Sequence, residues 1–391
     1  MSARAIARDL TRMLDDPATP RRALDVRAPH RYAILSDQHK GARDKADAFR
    51  QCEGAYRAAL AHYRDHGFTL ILLGDVEELW EQGFEEVARH YAEVLGLEAS
   101  FGADRYVRIF GNHDDDWMDP GDVTRRLAPF LPVPEVHEGL RFDVAGPDGP
   151  LGTVLLVHGH QGTFFSHRFR AVSRFFLRLW RPLQRAFGFQ VRTPSTDPCL
   201  RGEHDRDMYA WAAAQPRLVL IAGHTHRPVW SSRTHLQKLE AEQAALRGEP
   251  DPRAPDIADR LVALEAQIAD RTREHPPCND TAKTVPAYFN TGCCIFDDGD
   301  ITGMEIEDGV LLLVKWPAGG TEPRVVLEQE PLAAIFSRLP YGDGPASAPP
   351  RQGYGLRHSH TNSSKSPGGM SSSSAMISSS SSVGITKALA S

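Results

Sequence analysis

The 391-residue chain lacks the long apolar runs that a membrane span requires; no window approaches the roughly 18 uninterrupted residues needed. The opening MSARAIARDLTRMLDDP breaks every apolar stretch with charge and so lacks the continuous core of an export signal. It reads instead as a short amphipathic helix ending before Pro17, and a cytoplasmic location is expected. Cysteines are few and odd in number: Cys52, Cys199, Cys278 and the adjacent Cys293 and Cys294. They have neither disulfide-framework nor metal-type spacing, which argues for reduced thiols. An excess of positive charge is also missing, since the formal net charge is −6 and the pI near 6.3. Nucleic-acid binding, which rests on a surplus of Lys and Arg, is therefore not expected globally.

What is present is ordinary globular material, 41% hydrophobic and 25% charged. Short apolar runs at Tyr32–Leu35, Thr69–Leu73, Tyr106–Phe110, Leu151–Val157 and Leu218–Ile221 are each bounded by Gly, Asp or His. Helical spacing fills Ala46–His66 and Phe84–Leu97, giving a strand–helix–strand–helix–strand pattern and an α/β domain with a buried sheet. The chain divides into a 1–29 extension, a 30–340 domain and a 341–391 tail rich in Ser, Gly and Pro, whose low apolar content predicts disorder.

Two insertions interrupt the domain. Residues 162–203 hold eight arginines against two acids, with eight aromatic residues interleaved. As a helix, Ser166–Phe187 puts Phe169, Val172, Phe176, Leu179, Leu183 and Phe187 on one stripe and Arg170, Arg174, Arg178, Arg181 and Arg185 opposite, with Pro182 as a kink. The preferred reading packs the aromatics on the core and leaves the arginines solvated. The other is a lid that holds phosphates or leans on an anionic membrane. The second insertion, residues 234–275, has two Ala-, Leu- and Glu-rich helical stretches around Gly248-Glu249-Pro250-Asp251-Pro252, an expected αα-hairpin.

Polar clusters close the apolar runs, where open α/β sheets place ligands. They are Asp37-Gln38-His39, Gly74-Asp75, Gly111-Asn112-His113-Asp114, His158-Gly159-His160 and Gly223-His224-Thr225-His226. Each alone is compatible with a turn. Together they offer carboxylate, amide and imidazole donors at five successive strand ends, and one structural explanation would be needed for each separately.

This ordered set resembles the calcineurin-like metallophosphoesterase family over roughly residues 30–315. The resemblance implies a four-layer α-β-β-α sandwich with helical insertions, and two divalent metal ions: Asp37, His39 and His226 on one, Asn112, His158 and His224 on the other, Asp75 between them. His158 is preferred to His160 because the family's ligand precedes the glycine. The resemblance further implies a water activated as hydroxide between the cations, and hydrolysis of a phosphomonoester, phosphodiester or pyrophosphate. His113 would protonate the leaving oxygen with Asp114 in support. The mixed O/N donor set suits Mn²⁺, with Fe or Zn²⁺ as alternatives. The Gly-His-Thr-His-Arg-Pro end and the insertion after His-Gly are similar to bacterial UDP-2,3-diacylglucosamine diphosphatases, which would make a lipid-linked phosphorylated substrate an alternative to a small molecule. Those enzymes usually carry Arg where this chain has His113, so the broader assignment is kept; a nuclease and a metal-free scaffold are the remaining rivals.

Overall fold

The apolar runs that sequence periodicity marks as strands are buried on both faces, which explains why they read as continuous rather than alternating. In the computed structural model, which describes residues 3–133, 135–162, 198–249, 254–274 and 285–341, they form strands β2 (Arg31–Leu35), β3 (Thr69–Leu73), β4 (Tyr106–Ile109), β6 (Gly149–Val157) and β7 (Leu218–Ala222). Eight further strands complete two sheets: β1 (Arg21–Asp25), β5 (Gly139–Gly146), β8 (Val229–Trp230), β9 (Arg233–Thr234), β10 (Tyr288–Asn290), β11 (Ile301–Glu307), β12 (Val310–Trp316) and β13 (Val325–Pro331). One sheet has the order β1-β5-β6-β7-β10-β8-β9 and the other β13-β12-β11-β2-β3-β4.

Alternate residues of the second sheet enter different cores. Ile34, Ile71, Leu73, Val107 and Ile109 face the first sheet. Ala33, Leu35, Leu70 and Leu72 face helices α2 (Phe49–Asp65), α3 (Phe84–His90) and α4 (Ala92–Ala99). Full burial of each such Leu or Ile is worth about 1.5–3 kcal/mol. The inter-sheet core also takes in α1 (Ala3–Asp15) through Ile6, Leu10 and Met13, and α5 (Pro198–Ala213) through Met208, Trp211 and Ala212. The layers are therefore helix, sheet, sheet, helix. Strands β2, β3 and β4 pair in parallel with Ile34 opposite Ile71 and Ile71 opposite Val107, as do β6 and β7 with Leu156 opposite Ile221.

Residues 3–29 are part of this fold rather than an appendage. Beyond α1, strand β1 pairs in parallel with β5, and Trp211 Nε1 donates to Thr11 Oγ1 at 2.9 Å. The helix expected over Phe84–Leu97 is two helices, broken at Tyr91 (φ −116°, ψ 30°). In the second insertion, α6 (His235–Arg247) and α7 (Pro255–Glu274) are tied by Arg247–Glu265 at 2.9 Å and Arg260–Glu242 at 2.7 Å. The Arg-and-aromatic segment falls outside the described residues between 163 and 197, as does the tail from 342. Among the described residues no helix is long and apolar enough to cross a membrane.

Candidate metal centre

Parallel pairing brings the carboxyl ends of β2, β3 and β4 together, and those of β6 and β7, so all five polar clusters converge on one edge of the sandwich. The strand ends are fastened by backbone bonds: Asp37 N to Gly74 O (3.1 Å), His39 N to Asp75 O (2.9 Å) and Gly223 N to His158 O (2.8 Å). Five candidate donors adopt left-handed backbone conformations, with φ of 56° at Asp37, 46° at His39, 51° at Asp75, 68° at His224 and 55° at His226. Such a conformation costs about 1–3 kcal/mol per non-glycine residue and persists only where surrounding contacts over-determine it.

Three donor groups result. Asp37, His39 and His226 form one and Asp75, His158 and His224 another; His39, Asp75 and His113 form a third between them, with donor atoms in each within 4.8 Å of one another. His226 Nε2 lies 3.1 Å from Asp37 Oδ1 and 3.3 Å from His39 Nε2. Asp75 Oδ2 lies 3.1 Å from His158 Nε2 and 3.6 Å from His39 Nε2, so one carboxylate oxygen touches both outer groups. His158 Nδ1 donates to Leu73 O at 2.8 Å, which leaves Nε2 as the donor atom toward the cluster. His160, two residues on, belongs to none of these groups.

The donor set fits divalent cations on an observation of its own. Asn112 Oδ1 and His224 Nε2 are buried without a hydrogen-bond partner. Each orphaned atom costs about 1–3 kcal/mol, a cost that a cation ligated there would remove. The electrostatics agree in sign. Burial opposes charge on His158, yet Asp75 and Asp37 overcome it and push its pKa up to about 9, as expected where carboxylates draw in positive charge. Burial and the neighbouring His158 and His204 instead push His224 well below the usual imidazole value, keeping its lone pair available.

His113 sits beside this cluster, its ring 4.6 Å from that of His39 and stacked on Trp80 at 4.0 Å. Its partner is not Asp114. That carboxylate is buried beneath the loops, where it accepts from the backbone N–H of Gly111 (2.6 Å), Val76 (2.9 Å) and Asp75 (3.2 Å) and lies 3.4 Å from Arg108 Nη2. The support expected from Asp114 is thus corrected: it fastens strand ends, and the imidazole of His113 pairs with Glu78. Glu78 Oε2 is 2.6 Å from His113 Nδ1 and 3.1 Å from His39 Nδ1. Burial would raise the Glu78 pKa, but His113 and then His39 outweigh it and bring it down to about 2. An ionised Glu78 therefore holds both rings by Nδ1–H and leaves both Nε2 atoms for the site.

Sequence reading overlooked three more residues. Glu78 follows Glu77 in an acidic pair whose members diverge, Glu77 turning into the protein to pair with Arg108 and Trp117 Nε1. On α5, His204 Nε2 donates to Gly159 O at 2.6 Å, and Asp205 accepts from Thr225 Oγ1 (3.1 Å), Tyr288 Oη (2.8 Å) and Arg227 Nη2 (2.8 Å). Neighbouring residues of one helix thus fasten both histidine loops.

The motif glycines have steric causes. A Cβ on Gly74, already at φ 88°, would meet the His158 ring at 2.7 Å, and one on Gly111 would lie 2.1 Å from Asp75 Oδ1. Gly111→Ala must therefore displace the shared carboxylate. Turnover is expected to fall by roughly 10²-fold, as for a misplacement of about 1 Å, while the circular dichroism spectrum stays native. Near wild-type turnover in this variant would show that Asp75 tolerates displacement.

Convergent Asp, Asn and His donors on a sandwich edge, with a carboxylate-supported histidine beside them, define a metal-dependent phosphoesterase site. A family model for calcineurin-like phosphoesterases matches residues 30–228, just over half of the chain. The chain belongs to the calcineurin-like phosphoesterase family and is a phosphoester hydrolase. Among solved structures, a dimetal phosphatase from Danio rerio is similar with a TM-score of 0.33 and 10% identity, over 77% of this chain and 99% of that one. No curated protein matches the chain.

Proposed function

We propose that the chain hydrolyses a phosphomonoester, phosphodiester or pyrophosphate of a small molecule at a two-cation centre. Asp37, His39 and His226 would hold one ion, Asn112, His158 and His224 the other, with Asp75 shared. The carrying observation is that Asp75 Oδ2 contacts histidines of both outer groups. Bound divalent cations supply Lewis acidity to a phosphate and lower the pKa of water. The residues do the rest. Glu78 keeps the Nδ1 proton of His113 in place, so the ring presents Nε2 to the departing oxygen and returns a proton there. Trp80 holds the ring plane by stacking. Asp114 and Arg108 hold the β3 and β4 ends at fixed separation beneath it.

The donor set favours Mn²⁺, with Fe or Zn²⁺ as alternatives. Chelator-treated protein should regain hydrolysis of p-nitrophenyl phosphate or bis-p-nitrophenyl phosphate on adding Mn²⁺, and more weakly with Zn²⁺. A metal-loaded protein inert toward a broad phosphoester panel would defeat the proposal. A lipid-linked pyrophosphate substrate is the second reading, favoured only by the motif layout that includes Gly223-His224-Thr225-His226-Arg227-Pro228; including UDP-diacylglucosamine in the panel decides it.

A further inference from the structure

A second concave surface lies outside the metal centre, where the first half of α2 meets the junction of α3 and α4. It encloses about 590 Å³ and is lined by Arg43, Arg50, Glu53, Arg57, Arg89 and Glu93, together with His90 and small residues. That volume falls within the ordinary range for small-molecule sites, about 300–1,000 Å³.

The charges do not cancel. Arg43 Nη2 reaches Glu53 at 2.5 Å, and Arg57 Nη1 reaches Glu93 at 2.8 Å, so both carboxylates of the lining already have arginine partners. Arg50 and Arg89 have no hydrogen-bond or ion-pair partner among the described residues. The lining therefore carries two surplus guanidiniums on a chain whose formal net charge is −6. Like charges gathered in a concavity repel unless an anion is bound between them, and guanidinium forks match phosphate oxygens in pairs.

The walls are held in place independently of any ligand. Asp47 Oδ2 accepts from the backbone N–H of Arg43 (2.8 Å) and Gly41 (3.2 Å) and from Tyr91 Oη (2.6 Å). Arg43 Nε donates to His90 O at 2.9 Å, and its guanidinium lies 4.7 Å from the centre of the Tyr91 ring. Arg50, Glu53 and Arg57 recur at helical spacing on one face of α2. The α3–α4 break at Tyr91 turns Arg89 and Glu93 toward them.

We infer that this cleft is an anion site for a phosphate-type group carrying at least two negative charges, separate from the metal centre and bound chiefly by Arg50 and Arg89. The group is either that of a soluble phosphate or pyrophosphate compound or that of a phospholipid headgroup.

The test uses the full chain stripped of metal by a chelator, so that the catalytic donors do not compete. Inorganic pyrophosphate is titrated calorimetrically into wild type and into the Arg50→Ser/Arg89→Ser double variant. In parallel, both proteins are sedimented with phosphatidylcholine vesicles containing phosphatidic acid, whose phosphomonoester headgroup can carry two negative charges. A soluble ligand predicts pyrophosphate binding that weakens at least ~10-fold in the double variant, the equivalent of losing one charged hydrogen bond, and that declines with added NaCl. A headgroup ligand predicts vesicle binding lost in the variant without pyrophosphate binding. Both side chains are exposed, and the variant should retain p-nitrophenyl phosphate turnover when metal is restored. Should it fail to fold, Arg89→Gln alone carries the comparison. Absence of both kinds of binding, or binding equal in wild type and variant, would overturn the inference. Because metal-stripped protein is used, failure here leaves the proposed hydrolysis standing, and failure of hydrolysis leaves this site standing.

Discussion

Asp75→Asn is expected to lower phosphoester turnover by at least ~10²-fold, with loss of bound metal measurable by elemental analysis of the purified variant. The size follows from position. Substituting groups that merely orient ligands already costs about 10–100-fold in affinity or activity, and Asp75 touches histidines of both outer groups. An amide also has no satisfactory orientation there. Asp75 Oδ1 accepts from His113 N at 2.8 Å, while Oδ2 sits among the Nε2 atoms of His158 and His39. With the NH₂ toward His113, two donors oppose each other; with it toward the histidines, a non-ligating group replaces the shared oxygen. Wild-type metal content together with wild-type turnover in this variant would remove Asp75 from the centre.

His113→Ala is expected to reduce kcat by about 10²–10⁴-fold on substrates with poor leaving groups, the usual contribution of a positioned acid. On p-nitrophenyl esters, whose leaving oxygen scarcely needs a proton, the loss should be much smaller. Glu78→Gln should shift the same selectivity in the same direction. It should also weaken metal binding by roughly 10-fold or more, because His39 Nδ1 loses the carboxylate that fixes its tautomer. The two effects separate chemistry from ligation, since His113→Ala leaves the His39–Glu78 contact of 3.1 Å in place. Equal losses across all leaving groups would rule out proton donation by His113.

Much of this arrangement could be read from the chain because burial on both faces leaves an unmistakable trace. Thr69–Leu73 has the same bounds as strand and as apolar run, and the glycines next to donors mark close approach to Asp75 and His158. Strand β13 was not legible for the opposite reason. It lies at a sheet edge with Val325, Val326 and Leu327 each more than 40% exposed, so burial imposes little pattern on it. β1 is charged at three of its five positions, Arg-Arg-Ala-Leu-Asp, and its partner β5 is separated from it by more than a hundred residues. Glu78 was hidden because Val76-Glu77-Glu78-Leu79 reads as a solvated turn. Only the fold sends one glutamate to Arg108 and the next to His113. Arg108, an arginine inside the apolar run Tyr106–Phe110, was the available hint that buried carboxylates waited below.

The division of the donors between the two sheets has a consequence for how the chain acquires its chemistry. Asp37, His39, Asp75 and Asn112 follow strands of one sheet, and His158, His224 and His226 follow strands of the other. Each outer group is mixed: His226 joins Asp37 and His39 from across the interface, and His158 and His224 join Asp75. Neither sheet alone therefore supplies either outer group; only the middle group of His39, Asp75 and His113 lies on one sheet. Assembly of both outer groups therefore requires closure of the sandwich. These contacts span up to 189 residues, between Asp37 and His226, so competence depends on non-local pairing, which is slow to form.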